Sequence, residues 1–578
     1  MGSIQIVCDA RIDHAEQLSE AVGIPYQVDG SNAALLARCW SQAGIGIFEH
    51  LEGDFAFALW DEAQQLLVLA RDPIGQRPLH YREVSGGIVF ASTALALARI
   101  EGPAEPDPER MASFLSFVID PAPTTFFKGV NRVLPGHVLT FRSDRVIRQQ
   151  RWWKPRTRPS RIGYAEGVER MHTEIDRAVR AHLATNAPVV AAQLSGGHDS
   201  SLVVASAAAL IDPGKQVVAI TGDGAGAKAE LPADSFDEAE VAAETAAMLP
   251  NVTHLFARVD PESPLAATDR WFAGGQPMLN PFNLGWLDHS FDLAREAGAQ
   301  VMLIGRAGNM TVSHWGSDLF PMLARSGRIQ RLMREWRSYR RAFRPTPAGM
   351  LAMTFGPWIP GPLWNWLALR RGGEVEPFDE RAFLRPQSSW ARRALKIGRA
   401  QGLAVSAAPG RLFGGKLRWL ELLWADPGPM NHWVRARHGI ELRDPLASRR
   451  VMELSFQLGP DHFYRDGQGR RLSRTLLEGR VPERVTSEHR RGMQGVNWAA
   501  SAELAREQML VEVELIARDA TLSALFDVER MRGMLESWPK DWSDADLSEQ
   551  YRGFFSTAVC AARWARCVRE PGRAAERR

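Results

Sequence analysis

Val189-Val-Ala-Ala-Gln-Leu-Ser-Gly-Gly-His-Asp-Ser-Ser201 is the stretch whose reading decides the fold of this chain. Residues 189–194 are a short apolar run of the kind buried on both faces of a parallel sheet. Gly196 and Gly197 follow where the backbone must turn tightly and approach a ligand closely. An alanine-rich helix then covers residues 199–211. The free N–H groups of its first turn, with their partial positive charge, form a cradle for phosphate. Leu194 closes the strand beneath the cradle, and Ser195, Ser200 and Ser201 add hydroxyl donors. A carboxylate at Asp199, beside bound phosphates, is tolerable only with a cation, and Mg²⁺ bridges carboxylates and phosphates in this way. The stretch lacks the Gly-Lys-Ser/Thr of a Walker loop, which disfavours transfer of a γ-phosphate.

Working outward, helix and strand patterns alternate. Helical spacing covers 164–185, 238–249 and 288–297, and apolar runs cover 216–221, 253–257 and 301–304. Strands alternating with helices of this length predict a parallel sheet covered on both faces. The first ~150 residues are strand-rich, with apolar runs at 55–60, 66–70 and 87–91 separated by polar turns. A proline- and arginine-rich linker spans 152–161, and beyond Asp318 the chain is mostly helical. The expected division is 1–155, 162–320 and 321–578.

Composition bounds the function. The chain's 70 basic and 67 acidic side chains give a net charge of +3, which leaves no electrostatic footprint for nucleic acid. Four cysteines, Cys8, Cys39, Cys560 and Cys567, are too few and too scattered for a disulfide framework, and a reducing cytoplasm fits them. The start carries no export signal. The arginines of 563–578 form a basic tail, expected as a solvated end. Residues 349–369 are uncharged and tryptophan-rich, but Pro357, Pro360 and Pro362 would break a spanning helix, so a loop buried or facing a partner is expected and no membrane contact.

The string Ser-Gly-Gly-x-Asp-Ser in a strand–loop–helix setting resembles the loop of the N-type ATP pyrophosphatases, which split ATP between the α- and β-phosphates. Leu51-Glu-Gly-Asp-Phe-Ala-Phe-Ala-Leu-Trp-Asp61, Ala70-Arg-Asp-Pro-Ile-Gly-Gln-Arg-Pro-Leu79, Asp237-Glu238 and Gly439-Ile-Glu-Leu-Arg-Asp-Pro-Leu446 narrow the resemblance to the asparagine synthetases. It implies an α/β fold with an N-terminal Ntn-type glutamine amidotransferase-like α+β sandwich. An adenine nucleotide α-hydrolase-like parallel-sheet domain follows, with a large helical C-terminal part. It also implies ATP and Mg²⁺ as cofactors.

Departures from the family refine the expectation. Glutamine-dependent members carry a cysteine right after the initiator methionine; here position 2 is Gly2, and Cys8 cannot use its own amine as base. Without that nucleophile ammonia cannot come from glutamine, so the amine must arrive with the substrate. Two branches of the family work in this way, the β-lactam synthetases and the lasso-peptide macrolactam synthetases. The loop Gly305-Arg-Ala-Gly-Asn-Met-Thr-Val-Ser-His-Trp-Gly316 puts Asn309 where the family has a second Mg²⁺-binding Asp, and it looks like the loop of some lasso cyclases. The tyrosine of the β-lactam branch has no counterpart between Tyr164 and Tyr339, and 471–498 also resembles the lasso group.

The resemblance therefore implies adenylation of an Asp or Glu side chain of a ribosomal precursor peptide. The peptide's N-terminal amine then attacks, and a leader peptidase and a leader-binding protein are the expected partners. An asparagine synthetase-like or β-lactam synthetase-like enzyme of small molecules is the alternative, and a non-catalytic scaffold is a third reading. Arg490 aligns with the lysine that stabilises the α-phosphate, with Arg474 as a second clamp. Thr221 and Gly305 join the loop as cofactor-binding residues, and Asp199 and Asn309 are the metal candidates. His198 is expected to be structural. Glu441 is either the general base or the partner of Arg443.

Overall fold

The structure, a computed structural model, describes residues 4–28, 30–142, 145–223, 235–370, 382–403, 411–488, 490–494 and 497–569. The apolar run at 55–60 is continuous because both faces of its strand are covered. β1 (Ile4–Asp13), β2 (Glu52–Asp61), β3 (Leu66–Arg71), β7 (His137–Arg142) and β8 (Arg145–Arg151) form an antiparallel sheet in the order β1-β2-β3-β7-β8. Successive side chains of a strand point to opposite faces. Phe55, Phe57 and Leu59 pack against Leu36, Trp40 and Phe48 beside the helix Asn32–Ala43. Ala56 and Ala58 face Leu79, Tyr81 and Val133, which belong to or flank a second sheet of β4 (His80–Val84), β5 (Gly87–Ala91) and β6 (Asn131–Arg132). The first part of the chain is thus the expected α+β sandwich.

The second sheet system is parallel throughout. β9 (Val189–Gln193), β10 (Gln216–Asp223), β12 (Val252–Arg258), β13 (Val301–Leu303) and β14 (Glu441–Arg443) lie in the order β12-β10-β9-β13-β14. Val190 and Ala192 face the helices Tyr164–His182 and His198–Leu210, while Ala191 faces the helix Leu284–Glu296. The chain runs outward from β9 to β10 and β12, then returns to lay β13 on the other side. That reversal makes the carboxyl ends of β9 and β13 a topological switch point, where ligands of open α/β sheets bind. A further parallel pair, β11 (Ser235–Asp237) with β15 (Arg491–Met493), brings the C-terminal region to the same edge.

β14 comes from within 321–578, so that segment completes the sheet as well as supplying helices. Its last helix, Ser556–Arg569, packs on the first part of the chain, with Trp564 5.4 Å from Phe127 and 5.9 Å from Phe126 between ring centres. The basic end is not wholly solvated: Arg563 and Arg566 pair with Glu512, and Arg569 with Asp519. The linker is docked too, since Trp153 Nε1 donates to Glu453 Oε1 at 2.7 Å. The tryptophan-rich stretch is helical rather than a loop, with helices Pro347–Phe355 and Gly361–Arg370. Its prolines fall at helix starts or between helices, where the missing N–H costs nothing.

The segment 70–79 folds around one guanidinium. Arg71 is fully buried, donating Nε to Arg77 O at 2.7 Å, Nη1 to Val133 O at 3.1 Å and Nη2 to Gly75 O at 2.8 Å. Asp72 accepts the N–H groups of Ile74, Gly75, Gln76 and Arg77. Arg71 Nη2 also meets Asp426 at 2.6 Å, and Arg132 Nη1 meets the other oxygen of Asp426 at 2.5 Å. One carboxylate thus joins the sandwich to the helical part. Removing one partner of a buried ion group leaves uncompensated charge, at about 3–5 kcal/mol. Asp426→Ala should lower the unfolding free energy of the full chain by that order, read from the urea midpoint at unchanged slope.

Candidate functional site

The strand–loop–helix expected around 189–211 is present, as the strand Val189–Gln193 followed by the helix His198–Leu210. Leu194 N donates to Ile220 O at 2.9 Å, and Thr221 Oγ1 donates to Leu194 O at 2.8 Å, so β10 fixes the point at which the loop leaves the sheet. Ser195 N donates to Ser200 Oγ at 3.0 Å, the two hydroxyls lie 2.8 Å apart, and Gly197 N donates to Ser195 Oγ at 3.1 Å. Ser201 Oγ donates back to Ser195 O at 3.3 Å. A Cβ on Gly196 would stand 3.1 Å from the Phe236 ring. Gly197 is the N-cap of the helix His198–Leu210 and has no side chain to cap it. The first N–H groups of the helix therefore face the crevice.

Asp199, in the first helical turn, is the charged centre. Its Oδ1 is buried with no hydrogen-bond partner. Burial pushes its pKa up to about 6, against the opposing pull of the Ser313 hydroxyl and the Arg470 charge. The loop after β13 is laid directly on it. A Cβ at Gly305 would come 2.9 Å from the Asp199 carbonyl carbon, and one at Gly308 would land on the carboxyl itself. A buried carboxylate oxygen left open in this way fits a divalent cation shared with phosphates. Among the described residues no cluster of three or more His, Cys, Asp or Glu could hold a metal. Phosphate and water oxygens would complete the shell. Asn309 is exposed, and its Oδ1 accepts from Ser313 Oγ at 3.3 Å, so Ser313 stands between Asn309 and Asp199.

The structure separates the other candidates. His198 is buried, its Nδ1 2.7 Å from Ser473 Oγ, and burial with the charges of Arg470 and Arg474 holds its pKa down to about 3. Arg474 donates Nε to Gly469 O at 3.0 Å on the helix Arg471–Leu477, beside His198. Arg490 is exposed, joined to Glu488 at 2.7 Å and placed over the Phe236 ring at 5.5 Å, next to the loop but turned outward. Glu238, from the quoted pair, accepts from Gln494 Nε2 at 2.7 Å, and the added Cβ of Gly492 would meet it. β15 is thereby fastened to the cradle. Gly2 lies outside the described residues.

Glu441 lies among arginines, away from the loop at 194–201. It heads β14 opposite Val301, the first residue of β13, and so stands at the amino edge of the sheet, away from the loops. Its carboxylate pairs with Arg77 and, at 2.9 Å, with Arg443. Burial alone would raise its pKa, but the Arg443 hydrogen bond and the charges of Arg77, Arg443 and Arg11 bring it down to about 2. Such a carboxylate is a poor base.

Two residues that the sequence reading passed over stand at the site instead. Asp444, at the other end of β14, accepts Ala307 N at 2.8 Å and Leu446 N at 3.1 Å. Burial, with Asp199 adding to it, pushes its pKa up to about 7. Its position just before Pro445, at the end of the quoted 439–446 stretch, was the available signal. Arg470 takes a left-handed backbone (φ 54°), keeps Nε buried without a partner, and acts electrostatically on both Asp199 and His198.

A phosphate cradle at a parallel-sheet switch point, preceded by an antiparallel sandwich, defines a class of nucleotide-dependent enzyme. Residues 170–553 match the asparagine synthase family model, and 16–153 match a glutamine amidotransferase domain. The chain belongs to the asparagine synthase family. It is 31% identical over 240 residues to asparagine synthetase (glutamine-hydrolyzing) 1 of Bacillus subtilis, covering 41% of this chain and 36% of that protein. It is 30% identical over 235 residues to amidase chyE of Penicillium rubens, covering 37% and 32%. The chain therefore spans about a third of the length of these curated relatives. A solved allosteric regulatory enzyme of purine biosynthesis aligns over 46% of this chain and 61% of its own at 14% identity, with a TM-score of 0.20. Enzymes of the asparagine synthase family are ATP-dependent, amide-forming ligases that use Mg²⁺.

Two variants test these assignments. The folded pKa of Glu441 lies below the ordinary value of about 4.3, so its contribution is present above that pH and is lost as pH falls towards 2. Glu441→Gln should cost about 2–3 kcal/mol of unfolding free energy at pH 7, and the gap to the parent chain should close between about pH 4.5 and 2 in urea titrations. Gly308→Ala should displace the Asp199 carboxyl and weaken Mg²⁺-dependent ATP binding at least tenfold by calorimetry, while leaving urea unfolding cooperative.

Proposed function

We propose that this chain is an ATP-dependent macrolactam synthetase of lasso-peptide type. It adenylates an Asp or Glu side chain of a ribosomal precursor peptide, and the peptide's own N-terminal amine closes the ring. The observation that carries the activating half is the cradle at 194–201 with the open Asp199 carboxylate beneath Gly305 and Gly308. A peptide carboxylate oxygen attacks the α-phosphorus and pyrophosphate leaves. The amine then attacks the acyl carbon, AMP leaves, and the amine's proton is lost to solvent or a base. The helix N–H groups and the serine hydroxyls orient the phosphates. Mg²⁺ held by Asp199 would neutralise their charge. Arg470 and Arg474 flank the loop with the positive charge that a pentavalent phosphate calls for.

The intramolecular amine is supported by the cysteines of the amidotransferase-like part. Cys8 lies within β1, its nitrogen committed to a peptide bond, and Cys39 is buried in the helix Asn32–Ala43. Burial raises both thiol pKa values, the opposite of what activates a nucleophile. A leader peptidase and a leader-binding protein are part of this proposal, since a free N-terminal amine has to be produced first. Relatives bearing the names of asparagine synthetases and an amidase favour a second reading, amidation of a small acid.

One assay decides between the two: ATP–pyrophosphate exchange with product mass, using precursor peptides with free N-termini, and separately aspartate with ammonia or glutamine. Peptide-dependent pyrophosphate release with loss of one water, abolished in Asp199→Ala, is the expected result. Turnover of aspartate instead overturns the macrolactam reading.

A further inference from the structure

The helix Ile329–Phe343 follows the 305–316 loop in the chain and is charged far out of balance. Residues 328–344 hold seven arginines and one acid, Glu335, and Glu335 is fully buried. Two of these arginines, Arg331 and Arg334, line a cavity of about 440 Å³ together with Arg465, Arg471, Asp461 and Tyr164. The four guanidiniums converge on it from three segments of chain.

Their existing partners do not match them. Arg471 lies over the Tyr164 ring, 3.4 Å from its centre, and donates Nη1 to Asp461 O at 3.2 Å. Arg331 pairs with Asp461 through Nη2, but its Nε is buried without a hydrogen bond, 4.0 Å from Glu335 Oε1. Arg334 and Arg465 share Asp466, at 3.7 and 3.3 Å. Counting Arg328, five arginines stand against Asp461, Asp466 and Glu335. Burial, and the neighbouring guanidiniums of Arg334, Arg465 and Arg328, hold the Arg331 pKa below its ordinary value. Like charges crowded in this way are relieved by an anion, and guanidinium forks take carboxylates two bonds at a time.

We propose that this cavity docks a peptide segment bearing at least two acidic side chains, received on the far side of the helix Arg471–Leu477 from the phosphate cradle. On that helix Ser473 turns to His198 of the cradle while Arg471 turns to Tyr164 in the cavity. A segment seated there is one helix away from the reacting phosphates. The concave arrangement suits a peptide better than a flat bilayer. Ile162 and Tyr164 in its wall, with exposed Ile329 and Met333 on the arginine helix, suit a mixed acidic and apolar chain better than bare phosphate. The proposal rests on the peptide-ligase reading for the owner of the segment, while the site itself is testable without catalysis.

The test is fluorescence anisotropy of full-length protein with labelled hexaglutamate and hexaglutamine peptides, with ATP affinity measured in parallel. Hexaglutamate should bind, weaken as salt screens the charges, and outcompete hexaglutamine. Arg331→Ala/Arg334→Ala should weaken it about tenfold or more with ATP affinity unchanged, and the double lysine variant should recover part of the loss. No hexaglutamate binding, equal binding by the alanine variant, or displacement by equimolar inorganic pyrophosphate overturns the proposal. Binding to phosphatidylglycerol vesicles at the peptide's expense overturns it in favour of a lipid surface. A chain that binds acidic peptide through these arginines yet never turns a peptide over keeps the site and loses the macrolactam reading.

Discussion

The structure is organised around a carboxylate that has nowhere to put its charge. Asp199 is forced into the interior because the helix bearing it starts at the carboxyl end of β9, the central strand, with the loop after β13 folded over it. Burying an ionised carboxylate without a partner is costly, and the raised pKa records that cost. Every neighbouring choice maintains the constraint. Glycine at 305 and 308 lets the second loop close on the carboxyl, and Thr221 pins the loop exit. A site built in this way is complete only when anionic phosphates and a cation arrive together, and that requirement couples nucleotide binding to the geometry of the switch point.

A second set of charges decides how the two parts of the chain meet. Asp426 is held by Arg71 and Arg132 from the sandwich, while Glu441 of the parallel sheet is held by Arg77 of the sandwich and its own Arg443. Arg11 binds Asp54 at 2.9 Å and approaches His182 Nε2 at 3.1 Å. The 70–79 segment, recognisable in sequence as a family signature, does its structural work here, wrapping Arg71 and Arg77 so that each reaches across the junction. The amidotransferase-like part is thereby bonded to the sheet through its amino edge, leaving the carboxyl edge free for ligands.

What sequence could reveal follows from the length over which each element repeats its pattern. Most strands and helices from 164 to 304 are legible from apolar runs or helical spacing, though β11 and the helix Pro264–Trp271 are not, and the loop at 195–201 stands out because glycines and hydroxyls sit at fixed offsets from a strand. β14 and β15 have three residues each, like β13, but Glu-Leu-Arg and Arg-Gly-Met lack the apolar run that marks Val301-Met-Leu303. The spacing of Glu441 and Asp444 therefore does not show that three residues of strand, about 10 Å, set one at each edge of the sheet. Arg470 was hidden for a different reason: it lies outside every quoted motif, at a left-handed backbone position just before the helix Arg471–Leu477. The prolines of 349–369 argued rightly against a spanning helix, yet they start or separate short helices there rather than marking a loop.

The division of labour in the chain explains where its specificity has to reside. On the proposed reading the cradle would hold phosphates through backbone N–H groups and hydroxyls, which distinguish a polyphosphate from other anions and say nothing of the acid to be adenylated. Asp444 and Asp199 are the acidic groups of the crevice, both with raised pKa values, so on the proposed reading an acidic substrate would need cations to draw it in. Among the described residues Arg306 of the loop after β13 acts on Asp444, Arg470 and Arg474 lie beside the cradle, and Arg471, Arg465, Arg331 and Arg334 lie behind it. The arginines thus run from the reacting centre out to the surface along one helix and its neighbours. On the proposed reading, an acidic chain held at several points would engage the inner arginines and also the outer ones, whose own acids, Asp461 and Asp466, are too few to match them.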